Sequence, residues 1–217
     1  MIDFPLIWHS LPSLLYGTGI SLQITLIAAL IGLTLGSLFG LAESSHSRPL
    51  SLAIHIYVTL FRGTPMLVQI LFIYYVLPQF GLTLAPFWAA SVAIGLNSAA
   101  YISQIIRTGI NAIPRGQTEA AHTLGLTPIQ TMRHIVFPQA VRVTLPALGN
   151  ELITLVKDSS LASIIGVMEL TKEASVIRSR TYDAFSVLLA VALIYLILTA
   201  SLSFCITLYE NRLKAHV

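Results

Sequence analysis

The chain has 217 residues, of which 55% are hydrophobic and only 10% are charged, and its mean hydropathy is +0.82. Soluble domains carry about 25% charged residues, so this composition excludes a soluble globular protein and predicts an integral membrane protein. The formal net charge of +3 is then a sign of membrane topology rather than of nucleic-acid binding. The single cysteine, Cys205, excludes a disulfide framework and a thiol metal site within the chain.

Five apolar stretches are long enough for transmembrane helices, each of which needs about 20 residues to cross the hydrocarbon core. They cover residues 15–42, 51–78, 86–110, 140–161 and 184–208. The amphipathic segment 162–183 precedes the last stretch, and we expect a short helix on the membrane surface there. The sequence therefore predicts an all-α integral membrane bundle of about five spans, which forms one domain over residues 1–217.

Lysine and arginine are unevenly distributed between the two sides of this bundle. One side has seven of them: Arg48, Arg107, Arg115, Arg133, Arg142, Arg212 and Lys214. The other side has three, which acidic neighbours offset: Lys172, Arg178 and Arg180, beside Glu169, Glu173 and Asp183. Because cytoplasmic loops carry the excess of basic residues, we expect the N-terminus outside and both the C-terminus and the loop at about 114–138 in the cytoplasm.

The first two spans each contain a local sequence signal. Gly32, Gly36 and Gly40 are four residues apart, which predicts close packing of the first span against another helix. In the second span Pro65 should break the helix and free carbonyl groups. Freed backbone inside a bilayer is tolerated where it lines a cavity or is buried in protein, so the preceding Thr64 is a candidate substrate ligand.

The other polar residues of these spans have two interpretations each. Arg62 is either a structural counter-ion, for example to Glu151, or a substrate contact, and Gln69 is the weakest candidate of this group. In the third span Asn97, Tyr101 and Gln104 share one helical face. Side chains of this kind either line a cavity or form hydrogen bonds between helices.

The polar loop between the third and fourth spans should fold as two short helices. Breaks at Pro114 and Gly116 precede a first helix of about eight residues that ends at Gly125, with Glu119 in its first turn. Thr127 should cap a second helix, with Pro128 at its first position and Gln130 completing a capping box. This helix should end at Pro138.

The fourth span carries charges that are expensive in a bilayer, by insertion scales about 2.5–3.5 kcal/mol each. Glu151, Thr154 and Asp158 share one helical face, and Lys157 lies beside it. Lys157 and Asp158 could pair with the carboxylate and the ammonium of an amino acid, and Glu151 could bind a further cationic group. The alternative is an internal ion pair, Lys157–Asp158 or Glu151–Lys157, which only holds the bundle together.

Three motifs together resemble one family. Six loop residues match the pattern of bacterial ATP-binding-cassette importer permeases: Glu119, Ala120, Ala121, Gly125, Ile135 and Pro138. Phe137 is the one departure, since the family usually has Leu there. The stretches Phe61-Arg62-Gly63-Thr64-Pro65 and Leu155-Val156-Lys157-Asp158-Ser159-Ser160-Leu161 look like the branch for polar amino acids such as histidine, glutamine, arginine and cystine.

The resemblance implies the type I importer permease fold and a place in the bacterial inner membrane. It implies that an ATPase dimer grips the loop, with Glu119, Ala120, Ala121 and Gly125 as coupling residues, and that an extracytoplasmic binding protein delivers the amino acid. In the family a residue equivalent to Asn97 lines the substrate cavity. The site residues expected to contact substrate are therefore Thr64, Asn97, Glu151, Lys157 and Asp158.

The remaining expectations concern activity and partners. The chain lacks a phosphate-binding Gly-Lys-Ser/Thr loop, so we expect no enzyme activity and no cofactor of its own, and ATP hydrolysis by a separate subunit. Membrane lipid and a second permease subunit, identical or different, complete the expected partners, and nucleic acid is not among them. The alternative is a membrane scaffold or assembly factor that recruits a cytoplasmic protein through the loop at 114–138.

Overall fold

The structure is a computed structural model that describes residues 2–43 and 48–214, and helices make up most of this part of the chain. Within the described residues, nine α-helices follow one another: α1 Phe4–Glu43, α2 Arg48–Gly63, α3 Met66–Leu71, α4 Pro86–Asn111, α5 Arg115–Thr123, α6 Pro128–Thr131, α7 Phe137–Asp158, α8 Leu170–Thr181 and α9 Ala184–Lys214. Two π-helical turns, Phe72–Val76 and Met132–Val136, and two 3-10 segments, Leu77–Phe80 and Ser159–Ile165, join some of them. No strand occurs among these residues, which confirms the all-α prediction.

The predicted spans correspond to long helices, although they differ in apolar character. By length and composition, α1, α4 and α9 could each cross a membrane. The second predicted span is broken, because α2 and the helical segment that begins at Met66 meet at an angle of 106° and count as one span only together. The fourth, α7, has 22 residues but carries four charged side chains, and it is not among the helices apolar enough to be recognised on composition.

The bundle is organised around the contact between α1 and α4, in which glycines of α1 allow a close approach. A Cβ atom at Gly36 would lie 2.7 Å from the Cβ of Ile102, and one at Gly40 would lie 2.7 Å from the carbonyl oxygen of Ser103. Real Cβ atoms essentially never come that close to another heavy atom. The predicted packing role of the glycine pattern is therefore confirmed, and α4 is the partner helix.

Contacts at the two ends of the bundle define its topology. At one end, the backbone N–H of Asp3 donates to Oγ of Ser186, at 2.9 Å, so the beginnings of α1 and α9 lie together. At the other end, Arg107 of α4 forms an ion pair of 2.6 Å with Glu43 at the end of α1. Because α9 extends over 31 residues, about 46 Å at 1.5 Å per residue, its end lies far from the N-terminus.

Substitution of Gly36 by alanine should weaken the α1–α4 contact, because the added methyl group would force the helix backbones apart. Overpacking of this kind typically costs about 1–3 kcal/mol. The matched control is Gly19→Ala in the same helix, where a Cβ atom meets nothing within 4 Å. Unfolding of the purified protein in mixed micelles should show a lower free energy of unfolding for Gly36→Ala only. Equal stability of the two variants would contradict this account of the contact.

Candidate functional site

The candidate site begins at the break in the second span, where Gly63, Thr64 and Pro65 separate α2 from α3. Pro65 has an extended backbone and no N–H, so the carbonyls near the end of α2 lack their usual helical donor. The hydroxyl of Thr64 donates to the carbonyl of Leu60, at 2.8 Å, and the residue is exposed. The predicted break is therefore present, and Thr64 lies at the surface of this single chain.

Two amide side chains replace the helical donors that the break removes. Nε2 of Gln69 lies 2.8 Å from the carbonyl oxygen of Phe61, and 3.1 and 2.8 Å from the carbonyl and hydroxyl oxygens of Thr64. Nδ2 of Asn97 donates to the Phe61 carbonyl at 3.2 Å and to Oε1 of Gln69 at 2.9 Å. This network, Thr64–Gln69–Asn97, joins α2, α3 and α4 across the break.

This network bears on the sequence-based interpretations of Gln69 and Asn97. Gln69 is the weakest candidate of its group from the sequence, yet it is 9% exposed and bonds from α3 to the residues before the break. Asn97 is 6% exposed, and its N–H groups are directed at partners within the chain, so its carbonyl oxygen is the polar atom that remains for a substrate. Its predicted substrate contact stays a prediction. The sequence signal for Gln69 was its position, four residues after the proline that frees the carbonyls.

Glu151 of α7 faces the interior, on the side of α4. Its Oε1 accepts a hydrogen bond of 2.7 Å from Oγ of Ser98, the residue that follows Asn97. The carboxylate also borders a cavity of about 390 Å³ whose walls are otherwise almost entirely apolar, between α1, α4, α7 and α9. Two adjacent residues of α4 therefore have different partners. Asn97 forms hydrogen bonds at the break in the second span, and Ser98 forms one with Glu151 of α7.

The other charged candidates lie towards the surface. Lys157 is exposed and Asp158 is half-buried at the end of α7. The ion pairs Lys157–Asp158 and Glu151–Lys157 considered above are not formed, since within residues 2–43 and 48–214 the one ion pair joins Arg107 and Glu43. These side chains are thus left available to a ligand or to another chain.

Arg62 does not pair with Glu151, so that suggested counter-ion role is wrong. Its guanidinium lies over the ring of Tyr101, 5.2 Å from the ring centroid, which is a cation–π contact. Gln104, on the same face of α4, donates to Oε2 of Glu43 at 2.9 Å. The three residues of this predicted face all contact other helices: Asn97 and Tyr101 contact the end of α2, and Gln104 contacts the end of α1.

The loop between α4 and α7 contains a second group of candidates. Gly125 has a φ of +79°, and the N–H of Leu126 donates to the carbonyl of Ala121 at 3.1 Å, so α5 ends in a left-handed Schellman motif. Thr127 and Gln130 form the predicted capping box at the start of α6. The two-helix loop and its turn at Gly125 are confirmed.

Two details of the loop prediction were wrong. The first helix begins at Arg115, so Glu119 is in its second turn rather than its first. The second helix does not end at Pro138: α6 continues through the π-turn Met132–Val136 into α7, and Pro138 lies in the first turn of α7. The wider π-turn changes the hydrogen-bond spacing before the proline, which lets the helix pass through without the usual break.

The surface of the loop combines the predicted residues with two that the sequence reasoning missed. Ala121 is buried, while Glu119, Ala120 and Gly125 are exposed. Leu124 and Ile129 are 81% and 80% exposed, one on each side of the turn. The signal for them was the presence of large apolar residues at the ends of two otherwise polar short helices.

Comparison with known proteins gives a consistent result. Residues 28–215 match the family described as "Binding-protein-dependent transport system inner membrane component". The arginine transport system permease protein ArtQ of Bacillus subtilis is 40% identical over 216 residues, with 99% of each chain covered. The glutamine transport system permease protein GlnP of Escherichia coli K12 is 38% identical over 214 residues, with 98% of each covered.

A solved structure agrees with the computed fold. A chain from a crystal structure of an amino acid ABC transporter with histidines superposes with a TM-score of 0.93 and 40% sequence identity. The match covers 98% of this chain and 99% of the other. The helical membrane fold and its loop are therefore those of importer permeases of this type.

The hydrogen bond between Gln69 and Asn97 predicts an energetic coupling between them. Gln69→Ala and Asn97→Ala should each lower the free energy of unfolding by about 1–3 kcal/mol, because each leaves a buried polar group unsatisfied. The double variant should lose less than the sum, with a coupling of about 0.6 and at most roughly 1.7 kcal/mol, as for polar contacts in other membrane helices.

The control for this cycle is Thr207→Ala, which removes an exposed hydroxyl that bonds only within α9. Its effect should add to that of Gln69→Ala without coupling. Unfolding titrations in mixed micelles, on wild type, the three single variants and the two double variants, provide the measurement. Strict additivity of Gln69→Ala and Asn97→Ala would mean that the network does not hold the break.

Proposed function

This chain belongs to the family of binding-protein-dependent transport system inner membrane components, and we propose that it is the permease subunit of an ATP-driven importer of polar amino acids. The observation that carries the proposal is the match of nearly the whole chain to proteins named for arginine and glutamine transport. Charged residues kept on a spanning helix, Glu151, Lys157 and Asp158, support a transport role. A scaffold that recruits a cytoplasmic protein would have no use for them.

We place the loop in the cytoplasm and the N-terminus outside, as the distribution of basic residues favours. In that orientation the loop presents Leu124 and Ile129 to a soluble partner on both sides of Gly125. Exposed large apolar side chains on a polar element are typical of protein–protein contacts. The partner is a separate ATPase dimer, which hydrolyses the ATP, so that the permease itself is a transport subunit and needs no cofactor.

The substrate pathway runs along the face of α7 that carries Glu151 and Asp158, with Lys157 beside that face. Exposed charges on a membrane helix are stable only where they meet water or protein. The exposure of Lys157 and of Thr64 in this single chain therefore supports a second permease subunit, identical or different, that faces them across a cavity. An amino acid held there would pair its ammonium with Asp158 and its carboxylate with Lys157.

The connection between loop and site supports transport by alternating access. From Pro128 to Asp158 the chain is helical without a break, through α6, the π-turn and α7. A displacement of the loop by the ATPase would therefore move Glu151 and Asp158 directly. ATP binding would draw the loops of the two permease subunits together and open the cavity outward, and hydrolysis would reset it.

Gly125→Val should abolish transport while the protein still inserts into the membrane. The reason is conformational, because φ is +79° and a Cβ atom there meets nothing within 4 Å. A β-branched residue in this left-handed conformation is strained, so the turn would change and displace α6. The measurement is co-purification of the ATPase from membranes, followed by ATP hydrolysis with and without loaded binding protein.

Two matched variants separate conformation from size. Gly116→Val adds the same side chain to the same loop, in open space and without a positive φ, and should retain coupling. Gly125→Asn should retain part of it, since asparagine adopts the left-handed conformation more readily. A Gly125→Val complex that stays assembled, with stimulated hydrolysis and normal uptake, would show that the loop does not transmit the motion.

Asp158→Asn should reduce apparent substrate affinity, because it removes the charge that would hold the ammonium group. Loss of one charge-assisted hydrogen bond costs about 1.5–3 kcal/mol, or roughly ten- to more than a hundredfold in affinity. Membrane abundance and ATPase association should be unchanged. Uptake of labelled arginine and glutamine into proteoliposomes, as a function of concentration, is the measurement. If Asp158→Asn keeps the wild-type affinity for every transported amino acid, Asp158 has a structural role and does not contact the substrate.

A further inference from the structure

A partly polar crevice of about 360 Å³ lies between α2, α4 and α7. Its polar lining comes from all three helices: Arg62 of α2, Tyr101, Gln104 and Thr108 of α4, and Thr144 of α7. The residues from α4 lie between Asn97 and the helix end at Asn111, after which the loop begins. In α7, Thr144 likewise lies between the loop and Glu151. The crevice is therefore on the loop side of the level at which Asn97 and Glu151 lie.

A close contact between α4 and α7 closes the crevice towards the loop. Gly109 of α4 leaves no room for a Cβ atom beside the methyl group of Thr144, and both residues line the crevice. Because α7 continues from α6 without a break in the helix, a displacement of the loop would act on this contact directly. A solute in the crevice would leave towards the loop only when α4 and α7 separate there.

The charge of the crevice comes from Arg62, which is exposed at the end of α2. In the part of the chain that the structure describes, its guanidinium has no ion pair, and its recorded contact is with the ring of Tyr101. Gln104 connects the crevice to the carboxylate of Glu43, but Arg107 already neutralises that group. A cation within a membrane protein requires water or an anion as its partner, so the crevice suits an anionic group.

The position of Arg62 is fixed while its hydrogen-bond donors stay available. The guanidinium carbon lies 5.2 Å from the ring centroid of Tyr101, a contact that occupies none of the five N–H donors with an oxygen acceptor. The backbone is held as well, because Gln69 donates to the carbonyls of Phe61 and Thr64, on either side of Arg62. A guanidinium held in this way can pair two parallel N–H donors with one carboxylate.

We propose that the crevice is a second binding site for the transported amino acid, in which Arg62 pairs with the substrate carboxylate. This inference rests on the proposed function. The amino acid would leave Lys157 and Asp158, pass to Arg62 as α7 moves, and depart once the contact between Gly109 and Thr144 opens. Since every amino acid has the carboxylate, this site would hold arginine and glutamine alike.

Arg62→Gln should lower the maximal rate of uptake by about tenfold, equivalent to about 1.4 kcal/mol in the barrier. The reason is that the carboxylate would cross this half of the membrane without a cation. The concentration of loaded binding protein for half-maximal uptake should not rise, because the residues of the first site are intact. The measurement is uptake of labelled arginine and glutamine by the complete transporter in liposomes, with the binding protein that supports uptake by the wild-type complex.

The matched control is Arg142→Gln. It removes the same charge from an exposed position of α7, next to Val143 of the crevice, but Arg142 does not line the crevice. Its maximal rate should equal that of wild type. An equal loss of rate in both variants would assign the effect to the general charge of this side and would overturn the proposal.

Direct binding to the complete transporter in nanodiscs, without ATP, isolates the second site. Lys157→Gln removes the proposed first contact for the carboxylate, so that the remaining carboxylate-dependent binding reports on Arg62. In that background, Arg62→Gln should weaken the binding of arginine by about ten- to a hundredfold, the loss of one charge-assisted pair. The affinity for argininamide, which lacks the carboxylate, should not fall. Unchanged arginine affinity together with a wild-type maximal rate of uptake would overturn the proposal.

Tyr101 provides a test that leaves Arg62 in place. Tyr101→Phe keeps the aromatic ring and should bind arginine as wild type does. Tyr101→Leu removes the cation–π contact that positions the guanidinium, and it should weaken the binding of arginine but not of argininamide. Equal arginine affinities in the two variants would contradict the assigned role of the ring and, if Arg62→Gln does not fold, would overturn the proposal.

A carboxylate of the second permease subunit as the partner of Arg62 would give another pattern. Arg62→Gln would then lower the melting temperature of the complex and weaken the binding of arginine and argininamide alike, and this result would also overturn the proposal. Failure of the proposed function is distinguishable, since the wild-type complex would then neither take up nor bind arginine or glutamine. In that case the second site would be rejected with it.

Discussion

The close contact between α1 and α4 is the interaction on which the other features depend. Gly32, Gly36 and Gly40 let the two backbones approach until side chains of α4 fill the space above the glycines. With α4 fixed in this way, its polar residues reach three other elements. Asn97 contacts the break between α2 and α3, Ser98 contacts α7, and Arg107 contacts the end of α1.

The bilayer explains why these polar contacts matter. A membrane interior offers no water to free carbonyl groups, so each must find a partner in the protein. The break at Pro65 is tolerated because Gln69 and Asn97 supply the missing donors. A fixed bend of this kind places Thr64 and Arg62 at a defined surface, whereas a proline without such partners would give a flexible hinge.

The sequence predicted features set by local chemistry and missed those set by distant contacts. Hydropathy predicted the helices. The loop was predicted from Thr127, Gln130 and Gly125, because caps and left-handed turns depend on neighbouring residues. The role of Gln69 depends on Asn97, which is 28 residues away in another helix. The continuation through Pro138 depends on a π-turn, which has no clear local signal.

The fourth span also shows that features set by distant contacts were not predicted from the sequence. α7 is too polar to be recognised as a membrane helix on composition alone, and its charged residues are the reason. Those residues could be proposed as substrate contacts from their shared face, yet only the structure shows that Lys157 and Asp158 remain without an ion pair in the described chain while Glu151 bonds to Ser98. The charged residues of α7 therefore weaken its prediction as a membrane span and, at the same time, support a transport role.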